Sequence, residues 1–274
     1  MRTLLHLSDL HFGRVDASLL GPLCAFAREL APDLVAVSGD LTQRARTAQF
    51  EQARHFLDTL PQPQIVVPGN HDVPLHDVIR RFARPLEKFR RIITDELLPI
   101  CVDEEIGVIG IDTSRSLTFK GGRINQRQID GVVAAFGAMP AGLIKIVVSH
   151  HPFDLPDTPH TRDLVGRAPL AMEAFARSGV DLLLAGHLHT SQVGNTAARY
   201  PAENYAALVV QAGTATSTRA RGESNSFNVV RIGSPYIDIE RFQWQPETGT
   251  FAAVLLTRYE RVGRIWQRVG MGAG

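Results

Sequence analysis

Aspartate, histidine and asparagine recur in this chain at the ends of short apolar runs. Asp9-x-His11 follows Thr3–Ser8, Gly39-Asp40 follows Leu34–Ser38, and Gly69-Asn70-His71-Asp72 follows Ile65–Val67. His150-His151 follows Ile144–Ser149, and Gly186-His187-x-His189 follows Val180–Ala185. Six of the ten histidines stand at such ends, whereas His6, His55, His76 and His160 are scattered and a core, surface or turn role suffices for each. An Asp after a strand is ordinarily a cap and Gly-Asn ordinarily a turn. Five such ends in one chain are different, because carboxylates and imidazoles gathered at one place are costly without a cation. Three His, one or two Asp and an Asn carbonyl are too many ligands for one tetrahedral ion. They suit two ions roughly 3.5–4 Å apart sharing a carboxylate. Nitrogen and oxygen donors without sulfur favour Mn, Fe, Zn or Co over Mg or Ca.

These residues must be carried by elements that end together. Residues two apart on extended chain face the same side, so Asp9 and His11 can reach one object. Helical spacing at Leu19, Leu20, Leu23, Phe26 and Leu30 follows the first strand, and Phe50, Ala53, Phe56, Leu57 and Leu60 follow the second. Alternating strands and helices predict a parallel α/β sheet, whose ligands gather at the carboxyl ends of its strands. Further strands are predicted near 107–111 and 144–149, with helices near 126–136 and 170–176. From about residue 206 to 257 the pattern becomes strand and turn, which predicts an antiparallel sheet stacked on the first. The expected fold is therefore α/β, with two stacked mixed β-sheets flanked by helices in a four-layer α-β-β-α sandwich. A single domain spanning 1–274 is expected, as no linker, repeat or low-complexity tract interrupts it.

Residues 73–98 break the pattern. Val78, Ile79, Phe82, Leu86, Phe89, Ile92 and Ile93 make an apolar stripe interrupted by Pro85, and Arg80, Arg81, Arg84, Lys88, Arg90 and Arg91 make a basic side. Two short helices capping the site are predicted. Their basic face is compatible with peripheral contact to a membrane surface or with greeting an anionic substrate.

Composition narrows the partners. Twenty-nine basic against 28 acidic residues give a net charge of +1, so no general field for nucleic acid is expected. Two cysteines, Cys24 and Cys101, exclude a disulfide framework. No apolar run approaches spanning length and a strand begins at Thr3, so a cytoplasmic protein without stable membrane insertion is expected.

The five motifs, in this order, resemble the calcineurin-like metallophosphoesterase family over about residues 3–190. The resemblance implies that Asp9, His11 and His189 hold one metal, that Asn70, His150 and His187 hold the other, and that Asp40 bridges them. His71 then faces the scissile phosphate, protonated, to donate to the leaving oxygen or stabilise its charge, with Asp72 beside it either orienting the ring or serving a structural turn. Either His150 or His151 fits the family's pattern of a ligand at the strand end, and the first is nearer that end. The implied chemistry is attack on phosphorus by a hydroxide held between the metals. Leu7-Ser8-Asp9-Leu10-His11, Gly39-Asp40-Leu41-Thr42, Gly69–Asp72 and His150-His151-Pro152 are most similar to the cyclic-nucleotide phosphodiesterase-like branch. Gly213-Thr214 and Ser224–Asn228 are similar to it too. A small phosphodiester substrate is expected, such as 3′,5′-cyclic AMP or a range of diesters. The alternative is a UDP-diacylglucosamine-type pyrophosphatase, whose motif resembles Gly-Asn-Arg-Asp where this chain has His71. A DNA nuclease, which would carry an additional capping domain, and a non-catalytic scaffold, which would lack ligands, fit less well.

Overall fold

The computed structural model describes residues 1–75, 77–117, 120–156, 161–219 and 222–269, so His76 and His160 lie outside the described residues. Among the described residues thirteen strands and six α-helices follow in chain order: β1 (Arg2–Leu7), α1 (Leu20–Leu30), β2 (Leu34–Ser38), α2 (Thr47–Thr59), β3 (Gln64–Val67), α3 (Val78–Ala83), α4 (Glu87–Ile92), β4 (Ile100–Val102), β5 (Ile106–Ile111), α5 (Gln126–Ala138), β6 (Ile144–Ser149), α6 (Ala168–Ser178), β7 (Leu182–Ala185), β8 (Gln192–Asn195), β9 (Leu208–Gln211), β10 (Ser226–Gly233), β11 (Tyr236–Gln245), β12 (Thr250–Val262) and β13 (Ile265–Arg268).

The near-continuous apolar runs arise because the central strands are buried on both faces. In β1 to β3, Leu4, Leu34, Ala36, Ile65 and Val67 face the second sheet, where they meet Val108, Ile146, Leu184 and Val210. The alternate residues Leu5, Leu7, Val35 and Val37 face outward onto Leu23 and Ala27 of α1 and Phe50, Ala53 and Phe56 of α2. On the other side, Ile109, Ile111, Val147 and Leu183 pack on Val132 and Phe136 of α5 and Met172 and Phe175 of α6. Two mixed sheets between two helical layers result, as expected from the sequence.

How the strands are shared between the sheets differs from expectation. The carboxyl-terminal strands do not form a sheet of their own. One sheet runs β13-β12-β11-β10-β1-β2-β3 and the other β4-β5-β6-β7-β9-β8. The edge of β1 away from β2 is taken by β10, antiparallel, with His6 opposite Asn228. Strand β9 instead continues the parallel run beside β7. Single-strand patterning does not specify a neighbour. Strand β13 was also unforeseen: Trp266 is 1% exposed and donates Nε1–H to Asp181 Oδ1 at 3.1 Å.

Between β3 and β4 the two short helices form, but they share one apolar stripe unequally. Helix α4 docks on α2: Phe89 is buried with its ring 6.4 Å from that of Phe50, and Lys88 Nζ donates to the Ala45 carbonyl at 2.9 Å. Helix α3 leaves Val78, Ile79 (81%) and Phe82 exposed, and buries Arg81 instead, which donates to the Ser116 and Pro74 carbonyls.

Candidate metal centre

The strand ends that carry the predicted residues converge. Asp9 and His11 leave β1, Asp40 leaves β2, Asn70, His71 and Asp72 leave β3, His150 leaves β6, and His187 and His189 leave β7. The turns that aim them are unusual. Asp9, His11, Asp40, His187 and His189 all have φ between +51° and +81°, a region that costs a non-glycine residue about 1–3 kcal/mol. Backbone bonds between motifs hold them there: Asp9 N donates to Gly39 O at 3.1 Å and His11 N to Asp40 O at 2.9 Å. From the loop after β9, Thr214 Oγ1 donates to Asp9 O at 2.7 Å and Thr216 Oγ1 to Leu10 O at 3.0 Å. The glycine of each motif has its own reason. Gly39 has φ +88° and a Cβ on it would stand 2.7 Å from His150 Nδ1, while a Cβ on Gly69 would stand 2.2 Å from Asp40 Oδ1.

Two groups of donor atoms share Asp40. In the first, Asp9 Oδ1 lies 3.4 Å from His11 Nε2 and 3.2 Å from His189 Nε2, and the two Nε2 atoms are 3.2 Å apart. Asp40 Oδ2 lies 3.6 Å from His11 Nε2. In the second, Asn70 Oδ1 lies 3.2 Å from His150 Nε2 and 3.1 Å from His187 Nδ1, and Asp40 Oδ1 is 3.4 Å from His150 Nε2. The two carboxylate oxygens of Asp40 thus face different groups.

These spacings fit cations. Donors about 2.1 Å from one ion are about 3.0–3.4 Å from each other in octahedral or tetrahedral arrangement. Asp9 Oδ1, wholly buried, has no hydrogen-bond partner although two imidazoles flank it, which is an acceptor awaiting a positive centre. Its other oxygen is fixed by Ser8 Oγ at 2.6 Å and His187 N at 2.9 Å. Burial opposes ionisation of both aspartates, but the histidines outweigh it. Asp9 is held down by His11, His189 and His150, and Asp40 chiefly by His150, so both carboxyls stay below the ordinary range.

In His150 and His189 the outer ring nitrogen is engaged, which fixes the nitrogen that faces inward, whereas His11 Nδ1 has no hydrogen-bond partner among the described residues. His150 Nδ1 donates to Ser38 O at 2.8 Å and His189 Nδ1 to Arg219 O at 3.3 Å. His151 also lies within 4.8 Å of the second group. Both of its nitrogens are engaged elsewhere, however, at 2.9 Å from Thr113 Oγ1 and 2.9 Å from Lys120 O. His150 is the one of the pair whose free nitrogen meets Asp40 and Asn70.

His71 stands beside the first group, its ring 5.0 Å from that of His11. Sequence reasoning expects a protonated ring, whereas the partners of its two nitrogens suit the tautomer with the proton on Nδ1. Nδ1 donates to the Gln43 carbonyl at 3.0 Å, and Nε2 accepts from Arg219 Nη1 at 3.0 Å. Burial pulls its pKa down, opposed by Asp40. Nor does Asp72 orient the ring. Its buried carboxylate accepts from Leu41 N, Thr42 N, Thr42 Oγ1 and Gly69 N, tying the second turn to the third. Burial, followed by Asp40, raises its pKa to about 6. Arg219 was missed from sequence. It lies in a polar loop far beyond the last motif, and no pattern of type and spacing singles it out.

Comparisons place this geometry among known proteins. A family model described as calcineurin-like phosphoesterase matches residues 2–191. The glycerophosphodiester phosphodiesterase GpdQ of Enterobacter lignolyticus is 36% identical over 81 residues, 25% of this chain and 29% of that protein. A probable cyclic nucleotide phosphodiesterase of Synechococcus is 38% identical over 47 residues, 17% of this chain and 18% of that protein. The matched segments therefore span well under a third of those relatives. The fold is similar to a dimetal phosphatase from Danio rerio, with a TM-score of 0.65 and 14% identity over 88% of this chain and 95% of that one.

Proposed function

Because the chain belongs to the calcineurin-like phosphoesterase family, we propose that it is a metal-dependent hydrolase of small phosphodiesters. Cyclic nucleotides such as 3′,5′-cyclic AMP and glycerophosphodiesters, named for the two partial relatives, are the substrates to try first. The observation that carries this reading is Asp40, whose Oδ2 faces His11 and whose Oδ1 faces His150.

In this reading Asp9, His11 and His189 hold one ion, Asn70 Oδ1, His150 Nε2 and His187 Nδ1 hold the second, and Asp40 bridges. Mn, Fe, Zn or Co ions bound there supply Lewis acidity toward the phosphoryl oxygens and acidify water. His71 acts on the leaving oxygen. Nδ1 keeps its proton, which it donates to the Gln43 carbonyl, so Nε2 is the atom that would take a proton from solvent, in place of its bond from Arg219, and pass it to the leaving oxygen. The Arg219 guanidinium at Nε2 places a fixed positive charge where negative charge grows on that oxygen. The strained turns keep these atoms in place before substrate arrives, so little reorganisation is needed.

Purified protein supplied with Mn should turn over bis(4-nitrophenyl) phosphate faster than 4-nitrophenyl phosphate, and turnover of the monoester alone would sink the diesterase reading. A screen that includes a UDP-lipid analogue, cyclic AMP and single-stranded DNA separates the pyrophosphatase and nuclease alternatives. Asp40→Asn should lose metal and turnover together; two ions retained by elemental analysis would contradict bridging. A second reading concerns location. The exposed Val78, Ile79 and Phe82 beside Arg80 and Arg84 favour peripheral contact with anionic lipid, which ends if co-sedimentation with anionic vesicles fails.

A further inference from the structure

Two cavities adjoin at His71. The larger, about 480 Å³, is bordered by Asp40, Asn70, His187 and His189 of the donor groups, and by His71, Lys120, Arg162, Asp163 and Arg219. The smaller, about 250 Å³, shares Asn70, His71, Lys120 and Arg219 with the first and adds Gln43, Arg44, Val73 and Leu75. Its charge is one-sided. Arg44, Lys120 and Arg219 bring three cations, and no carboxylate is among the described residues that line it. Neither Arg44 nor Lys120 has an ion pair among the described residues, in a chain whose other surface arginines commonly do. Cations gathered around a cleft raise the local concentration of anions and hold them by charge-assisted bonds. Gln43 lines the same space with a buried Oε1 that has no partner and can take a hydroxyl.

We infer that this smaller cavity is an anion subsite, which binds a second negatively charged group, phosphate or carboxylate, carried by the diester. The inference rests on the diesterase reading for the position of the scissile phosphate and assigns what lies beyond His71. A diester phosphate brings one negative charge, and the metal-bearing cavity takes it. Arg44 lines the smaller cavity alone, and its charge, with that of Lys120 at the shared edge, would meet no anion from a neutral glycerol, ethanolamine or choline group, while a zwitterion would set its ammonium against them. The favoured substrates are therefore diesters with an additional anion within a few bonds of the scissile phosphate.

Glycerophosphoserine and glycerophosphoethanolamine differ by one carboxylate, and glycerophosphoinositol 4-phosphate and glycerophosphoinositol by one phosphate. With Mn supplied, kcat/KM for the more anionic member of each pair should be about ten-fold higher, the size of one charge-assisted contact at a partly exposed site. In Arg44→Ala/Lys120→Ala that ratio should fall toward one, and in Arg44→Lys it should persist. Calorimetric titration of chelator-treated protein with glycerophosphoserine reads the subsite without turnover. Its affinity should exceed that for glycerophosphoethanolamine, fall in the double variant and fall as NaCl rises. Equal kcat/KM within both pairs, with brisk turnover, would overturn the subsite and leave the diesterase reading standing. Absence of turnover on every diester would overturn that reading, and the titration would still judge the subsite. A double variant that keeps the wild-type ratio also overturns it, provided its circular dichroism is unchanged.

Discussion

Asp9, His11, Asp40, His187 and His189 each occupy the left-handed region of backbone space, and each pays for it locally. The expense is tolerated because it turns side chains from two sheets toward one point, where strand geometry alone would splay them. Gly69 is one of the tight joints between these turns, since a methyl there would press on Asp40 Oδ1 and on the Asp40 backbone nitrogen. Gly69→Ala should destabilise the fold by about 1–3 kcal/mol and lower metal content together; a variant that keeps both in denaturant titration and elemental analysis would disprove the close-packing argument. His71 contacts no other group's donor set through its ring nitrogens, only Gln43 and Arg219. His71→Ala should accordingly retain its metals and lose about 10²–10⁴-fold in kcat on a diester. Unchanged turnover would remove this ring from the reaction.

At the scale of elements, the site depends on strands that approach it from both sheets, so whatever locks the sheets together also shapes the centre. Trp266 is such a lock. It sits on the last strand of one sheet, is 1% exposed, donates to Asp181 at the start of β7, and its carbonyl accepts from Asn195 on β8. Trp266→Ala leaves a large void and removes a donor from a buried carboxylate, so a loss of about 3–5 kcal/mol is expected in urea unfolding. A loss below about 1 kcal/mol would mean that β13 is ornamental. The two cap helices behave differently for a physical reason. Leu86, Phe89 and Ile93 reach the core beside α2, whereas α3, equally short, turns Arg81 inward and leaves its apolar side exposed.

For the whole molecule, ions held at the proposed centre would couple to the fold. Ions that bind only the native state stabilise it by about 2.7 kcal/mol per site at a hundred times Kd. Removing them with a chelator should lower Tm by several degrees, and Mn should restore it; a Tm indifferent to both would argue against a resident metal. Acid stability has a separate source in His6, buried between the sheets with Nε2 2.9 Å from Ser38 Oγ. Burial lowers its pKa to about 3, against the opposing pull of Asp9. The unfolded chain therefore binds a proton near pH 6.5 that the native state refuses until about pH 3, and stability falls as pH falls through that window. The slope from this group is at most ~1.4 kcal/mol per pH unit. His6→Gln should flatten the difference between pH 6.5 and pH 4 in chemical unfolding, and identical slopes would exonerate His6.

Local chemistry alone fixed much of this protein. Which residues close β1, β2, β3, β6 and β7, the two-sided burial of those strands and the helices between them are all matters of residue type over a few neighbours, and all were legible in the chain. What depended on tertiary structure joins residues far apart. It decided that His150 rather than His151 turns a free nitrogen to Asp40, because Thr113 and Lys120 occupy both nitrogens of the latter. It moved Asp72 from ring orientation to turn closure, put β10 beside β1, and brought Arg219 148 positions along the chain to His71. Hydrophobic period and turn chemistry act over a turn or a strand, whereas strand order and the partner of a side chain are set by which faces can be buried together. No window of sequence contains that choice.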